Sequence, residues 1–137
     1  MFHRWAKGYK YANTRRFVRL PAAWPIKCEP QTKEDGRQVT HTANVSAGGV
    51  AITVREMIPV GSRIHLEVHV PPLNRSIQAQ GKVVRCVLMR GGSFDLGIQF
   101  DQIAPEDQRA LNEAIEGFYS PHQRARQRGA SWWRKLS

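Results

Sequence analysis

The sequence predicts a small antiparallel β-barrel or sandwich followed by one α-helix. Short runs of β-branched and alternating residues fill most of positions 24–100, and glycines and prolines separate them, which is typical of all-β domains. One stretch, at 105–118, instead repeats its apolar residues at helical spacing. With 137 residues, of which 41% are hydrophobic, the chain can build one modest core, which excludes a wholly disordered protein.

Turn-forming residues separate the predicted strands. Asp35-Gly36 favours a hairpin turn, Gly48-Gly49 and Gly91-Gly92 break two later runs, and Pro71-Pro72 ends another. Between these breaks we expect strands at 24–29, 38–46, 50–54, 64–70, 76–89 and 94–100, the stretch 76–89 being either one long strand or a bent pair.

The second predicted strand has the clearest alternation. Successive side chains of a strand point to opposite faces, so two series are expected on two sides. One series is Val39, His41, Ala43 and Val45, and the other is Gln38, Thr40, Thr42, Asn44 and Ser46.

The predicted helix begins at Pro105, which suits the first helical position, and two acidic residues follow it near the positive end of the helix dipole. One apolar stripe along it, expected to pack on the barrel, consists of Leu111, Ala114, Ile115 and Phe118. Ser120-Pro121 ends the helix, and residues 121–137 either extend it or stay mobile.

The net charge of +10 is concentrated at the two ends of the chain. Residues 1–19 contain six basic residues and no acidic one, and residues 120–137 contain five basic residues and no acidic one. Positions 20–119 hold the other ten basic residues and all eleven acidic residues. This asymmetry predicts an anionic partner for at least one end: a nucleic acid, an anionic lipid or a phosphorylated small molecule.

Catalytic and metal-binding patterns are weak, so we expect neither an enzyme nor a metal site. His65 and His69 lie four residues apart on a predicted strand, roughly 13 Å between Cα atoms, which is too far to share a zinc ion. The segment around Ser46 lacks the glycine that a nucleophile elbow needs two positions earlier, where Asn44 stands. Cys28 and Cys86 form no metal or redox motif and are expected to be reduced and at least half-buried.

The chain also lacks the patterns of secretion and membrane insertion. No apolar run approaches the ~20 residues of a membrane span. No apolar stretch follows the basic residues at the start, so we expect no secretory leader and a cytoplasmic location.

Two polar constellations remain, and each alone has an ordinary interpretation. Arg15, Arg16 and Arg19 form a basic cluster that resembles a solvated tail. The segment Asn44-Val45-Ser46-Ala47-Gly48-Gly49 resembles a strand that runs into a turn, with Asn44 and Ser46 on one face about 6–7 Å apart.

Together, Arg15-x-x-x-Arg19 and Asn44-x-Ser46-x-x-Gly49 resemble the paired motif of the PilZ domain family. The Leu20-Pro21 step after the arginines and the stretch 96–100 are similar to the first and closing strands of that family. The resemblance implies a six-stranded antiparallel β-barrel with a C-terminal α-helix over residues 13–119. A basic arm (1–12) and a basic tail (120–137) would flank it.

The resemblance also implies a ligand, cyclic di-GMP, and no other cofactor. Arg15 and Arg19 are expected to hold phosphate and guanine edges, with Arg16 as an auxiliary contact. Asn44 and Ser46 would contact guanine or backbone, while Gly48 and Gly49 shape the turn and admit a phosphate. It leaves open whether Arg85 and Arg90 face the ligand. In this hypothesis the ligand pins the loose arm onto the barrel, and an unidentified downstream protein recognises the new surface.

The alternative is a protein that binds nucleic acid or an anionic membrane surface through its basic, aromatic tails. Aromatic residues interleaved with Lys and Arg stack on single-stranded bases or lie at a lipid interface. The aromatic residues of the two tails are Phe2, Trp5, Tyr9, Tyr11, Trp132 and Trp133. Packing on the barrel or on a partner protein is the ordinary interpretation of these aromatic residues. A third possibility is a PilZ-like adaptor that no longer binds the ligand, and the intact motif residues argue against it.

Overall fold

The computed structural model describes residues 17–31 and 38–128 of the chain. They form seven strands, a 3₁₀ turn at Pro71–Leu73 and two helices. The strands are β1 (Arg19–Leu20), β2 (Pro25–Pro30), β3 (Gln38–Ser46), β4 (Gly49–Val54), β5 (Arg63–Val70), β6 (Arg75–Leu88) and β7 (Phe94–Ile103); the helices are α1 (Pro105–Glu116) and α2 (Pro121–Arg128).

Six of the strands close into an antiparallel barrel, as the resemblance implied. The order around it is β3-β2-β5-β6-β7-β4, and β4 pairs back with β3 to complete the ring. The short strand β1 continues the β2 edge of β3, where Leu20 lies opposite Val45 and Pro25 lies opposite His41. The core fills the barrel interior with large apolar side chains, among them Ile26, Ile52, Leu66, Ile98 and Phe100.

The strict two-sided alternation expected for β3 is wrong, because the strand contains a bulge. Ala43 has no partner in the pairing with β4. The alternation of inward and outward side chains therefore shifts by one residue at this point. Before the bulge, Val39 is 71% exposed and Thr42 is buried. After the bulge, Val45 is buried, although the predicted alternation put Val39 and Val45 on the same side of the strand.

The polar residues before the bulge face inward because they satisfy backbone groups. The ladder between β3 and β4 begins only at Thr42. Before that point the Thr40 hydroxyl donates to the Thr53 carbonyl (3.1 Å), and the Gln38 side-chain carbonyl accepts from the Arg55 N–H (3.4 Å). The Thr42 hydroxyl accepts from the Trp24 N–H (3.0 Å) and donates to the Ala22 carbonyl. Side chains thus replace strand pairing at this seam of the barrel.

β6 is a single long strand and not a bent pair, and its ladder with β7 contains one bulge at Asp101 of β7 and one at Val84 of β6. Its register against β7 shifts between Gln80 and Gly81 and again between Val83 and Arg85. The predicted turn at 33–36 lies outside the described residues.

The apolar stripe of α1 is confirmed in its middle and wrong at its end. Leu111 and Ile115 are buried in the core, and Ala114 packs against it. Phe118 lies beyond the end of the helix and is 54% exposed, with its ring 6.5 Å from that of Trp24. The chain after Gly117 does not extend α1, since it turns at Ser120 into the separate helix α2.

Both cysteines are free, Cys28 being buried and Cys86 half-buried, as expected. Burial raises the pKa of the Cys28 thiol to about 12, because its charged form would lose hydration. No helix among the described residues has the length and apolar character to cross a membrane.

We predict that Gly81→Ala destabilises the barrel. A Cβ atom on Gly81, which lies beside the bulge in β7, would be 2.7 Å from Ile98 Cγ2 and 2.8 Å from the Gln99 carbonyl oxygen, and the backbone oxygen cannot move without disturbing β7. We expect the free energy of unfolding in urea to fall by about 1–3 kcal/mol.

Gly117→Ala is the matched control, since Gly117 has helical backbone angles and its added Cβ would make no contact under 3.4 Å. It should leave stability unchanged or raise it by up to about 1 kcal/mol. Equal unfolding midpoints for the two variants would contradict the role assigned to Gly81.

Candidate functional site

β1 brings Arg19 beside the polar end of β3. Arg19 lies directly opposite Ser46, and residues opposite each other in a ladder share a face with Cβ atoms roughly 4.5–5.5 Å apart. The neighbours Val18 and Leu20 are buried in the core, so Arg19 projects to the outer face of the barrel.

The bulge in β3 puts Asn44 and Ser46 on that same outer face. Beyond the bulge Val45 fills the core, so the residues on either side of it point outward. Asn44 is half-buried and Ser46 is fully buried. Arg19, Asn44 and Ser46, selected from the sequence, therefore form one cluster.

Ser46 has a structural task in the tight turn that joins β3 to β4. Its hydroxyl accepts from the Gly48 N–H (3.0 Å) and lies 3.4 Å from the Gly49 carbonyl oxygen. The Gly48 carbonyl accepts from the Phe100 N–H of β7 (2.9 Å). The Ala47 carbonyl accepts from the side-chain amide of Gln108 in α1 (3.0 Å). The turn is thus fixed to β7 and to α1.

Arg19 is 9% exposed, and its backbone is anchored by the C-terminal region. The Tyr119 hydroxyl, which follows α1, donates to the Arg19 carbonyl (2.8 Å). Burial lowers the pKa of the Arg19 guanidinium from its usual value, and the nearby Tyr119 partly opposes that shift. The side chain still carries its charge at neutral pH, so a cation is held in a partly dehydrated position.

The other two predicted arginines, Arg15 and Arg16, lie outside the described residues. Gly48 lies in the turn and Gly49 begins β4, and both are buried.

A row of residues crosses four strands from Asn44. Asn44 lies opposite Ala51 of β4, Ala51 lies opposite Gly97 of β7, and Gly97 lies opposite Arg85 of β6. We call this series the cross-strand row. Because paired residues share a face, Arg85 projects from the same outer face as Asn44. Arg90 lies beyond the end of β6 and outside this row.

The other groups considered from sequence form no centre. His65 and His69 lie along β5, where the His65 ring pairs with the side-chain amide of Gln78 (3.1 Å). In residues 17–31 and 38–128, no cluster of three or more His, Cys, Asp or Glu side chains has the arrangement of a metal site.

Sequence reasoning missed two residues that hold this site, Gln108 and Tyr119. Gln108 lies 61 positions from Ala47 and Tyr119 lies 100 positions from Arg19. Neither belongs to a local motif, so only the packing of α1 and its C-terminal turn on the barrel identifies them.

The barrel, the C-terminal helix and the two motif segments are those of PilZ domains. The family model of the PilZ domain matches residues 13–117, and the chain therefore belongs to the PilZ domain family. No curated protein matches the chain at a significant level of sequence similarity.

Solved structures support the same fold. Bacillus subtilis MotI/DgrA, an inhibitor of motility, superposes with a TM-score of 0.67 at 22% identity over 77% of this chain. The chain spans only 51% of MotI/DgrA. The PilZ domain of Escherichia coli YcgR with cyclic di-GMP gives a TM-score of 0.55 at 18% identity, over 77% of this chain and 91% of that one. A tetrameric PilZ protein from Xanthomonas campestris gives 0.59 at 12% identity, over 89% and 98%.

We predict that Tyr119→Phe weakens the link between β1 and the C-terminal region. The variant keeps the ring and loses the hydrogen bond to the Arg19 carbonyl, so unfolding should cost about 1 kcal/mol less at pH 7.

The pH dependence of the stability difference distinguishes the loss of this hydrogen bond from a general change in packing. Burial raises the pKa of Tyr119 above its ordinary value of 10, although Arg19 opposes the shift. The contribution of the Tyr119 hydroxyl to the free energy of unfolding is therefore present below pH 10 and is lost as the pH rises through the pKa of Tyr119 in the folded protein. The free energies of unfolding of wild type and Tyr119→Phe, measured at several pH values, should therefore become equal in alkaline solution. A constant difference would contradict this assignment.

Proposed function

We propose that this PilZ protein is a non-enzymatic receptor for cyclic di-GMP. The observation that carries the proposal is the juxtaposition of Arg19 with Asn44 and Ser46 on one outer face of the barrel. The structures of E. coli YcgR and Klebsiella pneumoniae MrkH with cyclic di-GMP support the same ligand for this chain.

The chemistry of Arg19 suits such a ligand. Cyclic di-GMP carries two phosphodiester charges and two guanines, and a guanidinium fork can hold a phosphate or the O6/N7 edge of guanine with two hydrogen bonds. Burial removes part of the hydration of the Arg19 guanidinium, which is unfavourable for a charged group. A bound anion close to it would offset this loss of hydration. Arg15 and Arg16 would add contacts from the segment that precedes β1.

The groups on β3 have different parts in this proposal. Asn44 is half-buried, and its amide can both donate to and accept from a guanine edge. The Ser46 hydroxyl already accepts the Gly48 N–H, so Ser46 acts mainly by holding the turn beneath the ligand. Gly48 and Gly49 let the ligand approach the backbone.

A change in the N-terminal arm would transmit the signal. Residues 1–18, which precede Arg19 of β1, carry five positive charges and no negative one, and these charges repel one another. A doubly negative ligand between the arm and the outer face of β3 would fix the arm and create a surface for a downstream protein.

Calorimetry with cyclic di-GMP tests the proposal. Wild type should bind it and should not bind cyclic AMP or GTP comparably. Arg19→Lys keeps the charge and the stem, which protects the fold, but loses the fork. Affinity should fall by roughly 10- to 100-fold, the loss expected of a charge-assisted hydrogen bond.

Arg109→Lys, on the exposed side of α1, is the matched control and should bind as wild type does. Equal affinity of the Arg19, Arg109 and wild-type proteins would rule out this site, and absence of binding by wild type would rule out the function.

A second candidate function, binding of a polyanion, has one supporting observation. α2 carries three arginines and a histidine in eight residues and no acidic residue. The Arg124 guanidinium donates to the carbonyls of Glu116 and Tyr119, and the exposed Arg126 is the candidate phosphate contact.

Removal of residues 121–137 distinguishes the two functions. The truncated protein should lose any binding to single-stranded DNA or to anionic vesicles and should still bind cyclic di-GMP. Polyanion binding by the full chain should also fall steeply between 50 and about 200 mM salt. Cyclic di-GMP binding that disappears with the tail would contradict the separation of the two sites.

A further inference from the structure

We propose that Arg85 contacts the bound ligand at the end of the site opposite Arg19. This inference rests on the proposed function, since it assigns a second cation to the same site. Neither of the two sequence motifs includes Arg85, and the sequence left its orientation open.

The register of four strands places Arg85 in one row with Asn44. Asn44, Ala51, Gly97 and Arg85 are successive partners across β3, β4, β7 and β6. Val84 is the extra residue of the bulge in β6, and the bulge brings Arg85 rather than Val84 opposite Gly97. Without that bulge the next outward position after Lys82 would be Val84.

The two middle residues of the cross-strand row are small. Ala51 and Gly97 separate Asn44 from Arg85, and neither has a side chain longer than a methyl group. Three strand spacings make this floor roughly 14 Å wide. Ala51 and Gly97 are both buried, so a ligand that lies across this floor would take the place of the side chains that cover it.

The ligand has two equivalent ends, and the site has a guanidinium at each. Cyclic di-GMP repeats the same phosphate and the same guanine, so a group that suits one half suits the other. Arg19 flanks Ser46 at the β1 edge of the face, and Arg85 ends the cross-strand row on β6. The forked, planar guanidinium is the group that holds either a phosphate or a guanine edge.

Neighbouring cations are less suited to this contact. Arg63 forms an ion pair with Asp101, including a second hydrogen bond of 3.1 Å. Lys82 lies opposite Gln99 in the adjacent row, but its ammonium group has no fork. Arg90 lies in the β6–β7 connection.

Calorimetry of Arg85→Ala and Arg85→Lys tests the assignment, with Arg90→Ala as the matched control. We expect Arg85→Ala to bind cyclic di-GMP at least tenfold more weakly, or with one ligand fewer per chain if Arg85 holds a second molecule. Arg85→Lys should lose most of the same affinity, because charge without the fork does not suffice. Arg90→Ala should stay within twofold of wild type.

Thermal unfolding without ligand checks that each variant folds. A folded Arg85→Ala protein with wild-type affinity and stoichiometry overturns the inference, as do equal losses in the Arg85 and Arg90 variants, which would indicate a general charge effect. In both cases a weakened Arg19→Lys protein would leave the proposed function intact. If wild type itself does not bind cyclic di-GMP, the proposed function fails first.

Discussion

β3 has to satisfy three neighbours at once, because it closes the barrel against β4 while it pairs with β2 and then β1 along its other edge. The bulge at Ala43 makes this possible. Before it, polar side chains turn inward and bond to the backbone of β4 and of the segment before β2. After it, Val45 enters the core, and Asn44 and Ser46 turn outward. Barrel closure and the chemistry of the outer face therefore depend on the same local irregularity.

The rigidity of the candidate site comes from elements distant in sequence. α1 bonds to the β3–β4 turn through Gln108, and the segment after α1 bonds to β1 through Tyr119. The helix that completes the hydrophobic core thus also fixes the turn, and the segment that follows the helix fixes the backbone of Arg19. Tyr119 also links β1 to α2, because its hydroxyl donates to the Arg19 carbonyl and its own carbonyl accepts from Arg124 of α2.

The electrostatic arrangement separates two kinds of positive charge. Arg19 and Arg85 are fixed by strand register at two edges of one face, where their positions are set to within a side-chain rotation. The charges of the terminal segments are grouped by sequence alone, in blocks without acidic residues. Fixed guanidinium groups can select a ligand by shape, whereas charge blocks attract any polyanion and are screened by salt.

The sequence by itself determined the strands, the helix and the two motif segments, because alternation, turn residues and helical spacing are local properties. It also predicted that Arg19, Asn44 and Ser46 meet. Only the tertiary structure decided which way the end of β3 and the end of β6 face, since the bulges at Ala43 and Val84 shift side chains by one position and depend on the partner strand. The same holds for Phe118, which lies on Trp24 instead of in the core, and for Arg85. Bulges and contacts over 61 or 100 positions arise from closing the barrel, and no local pattern encodes them.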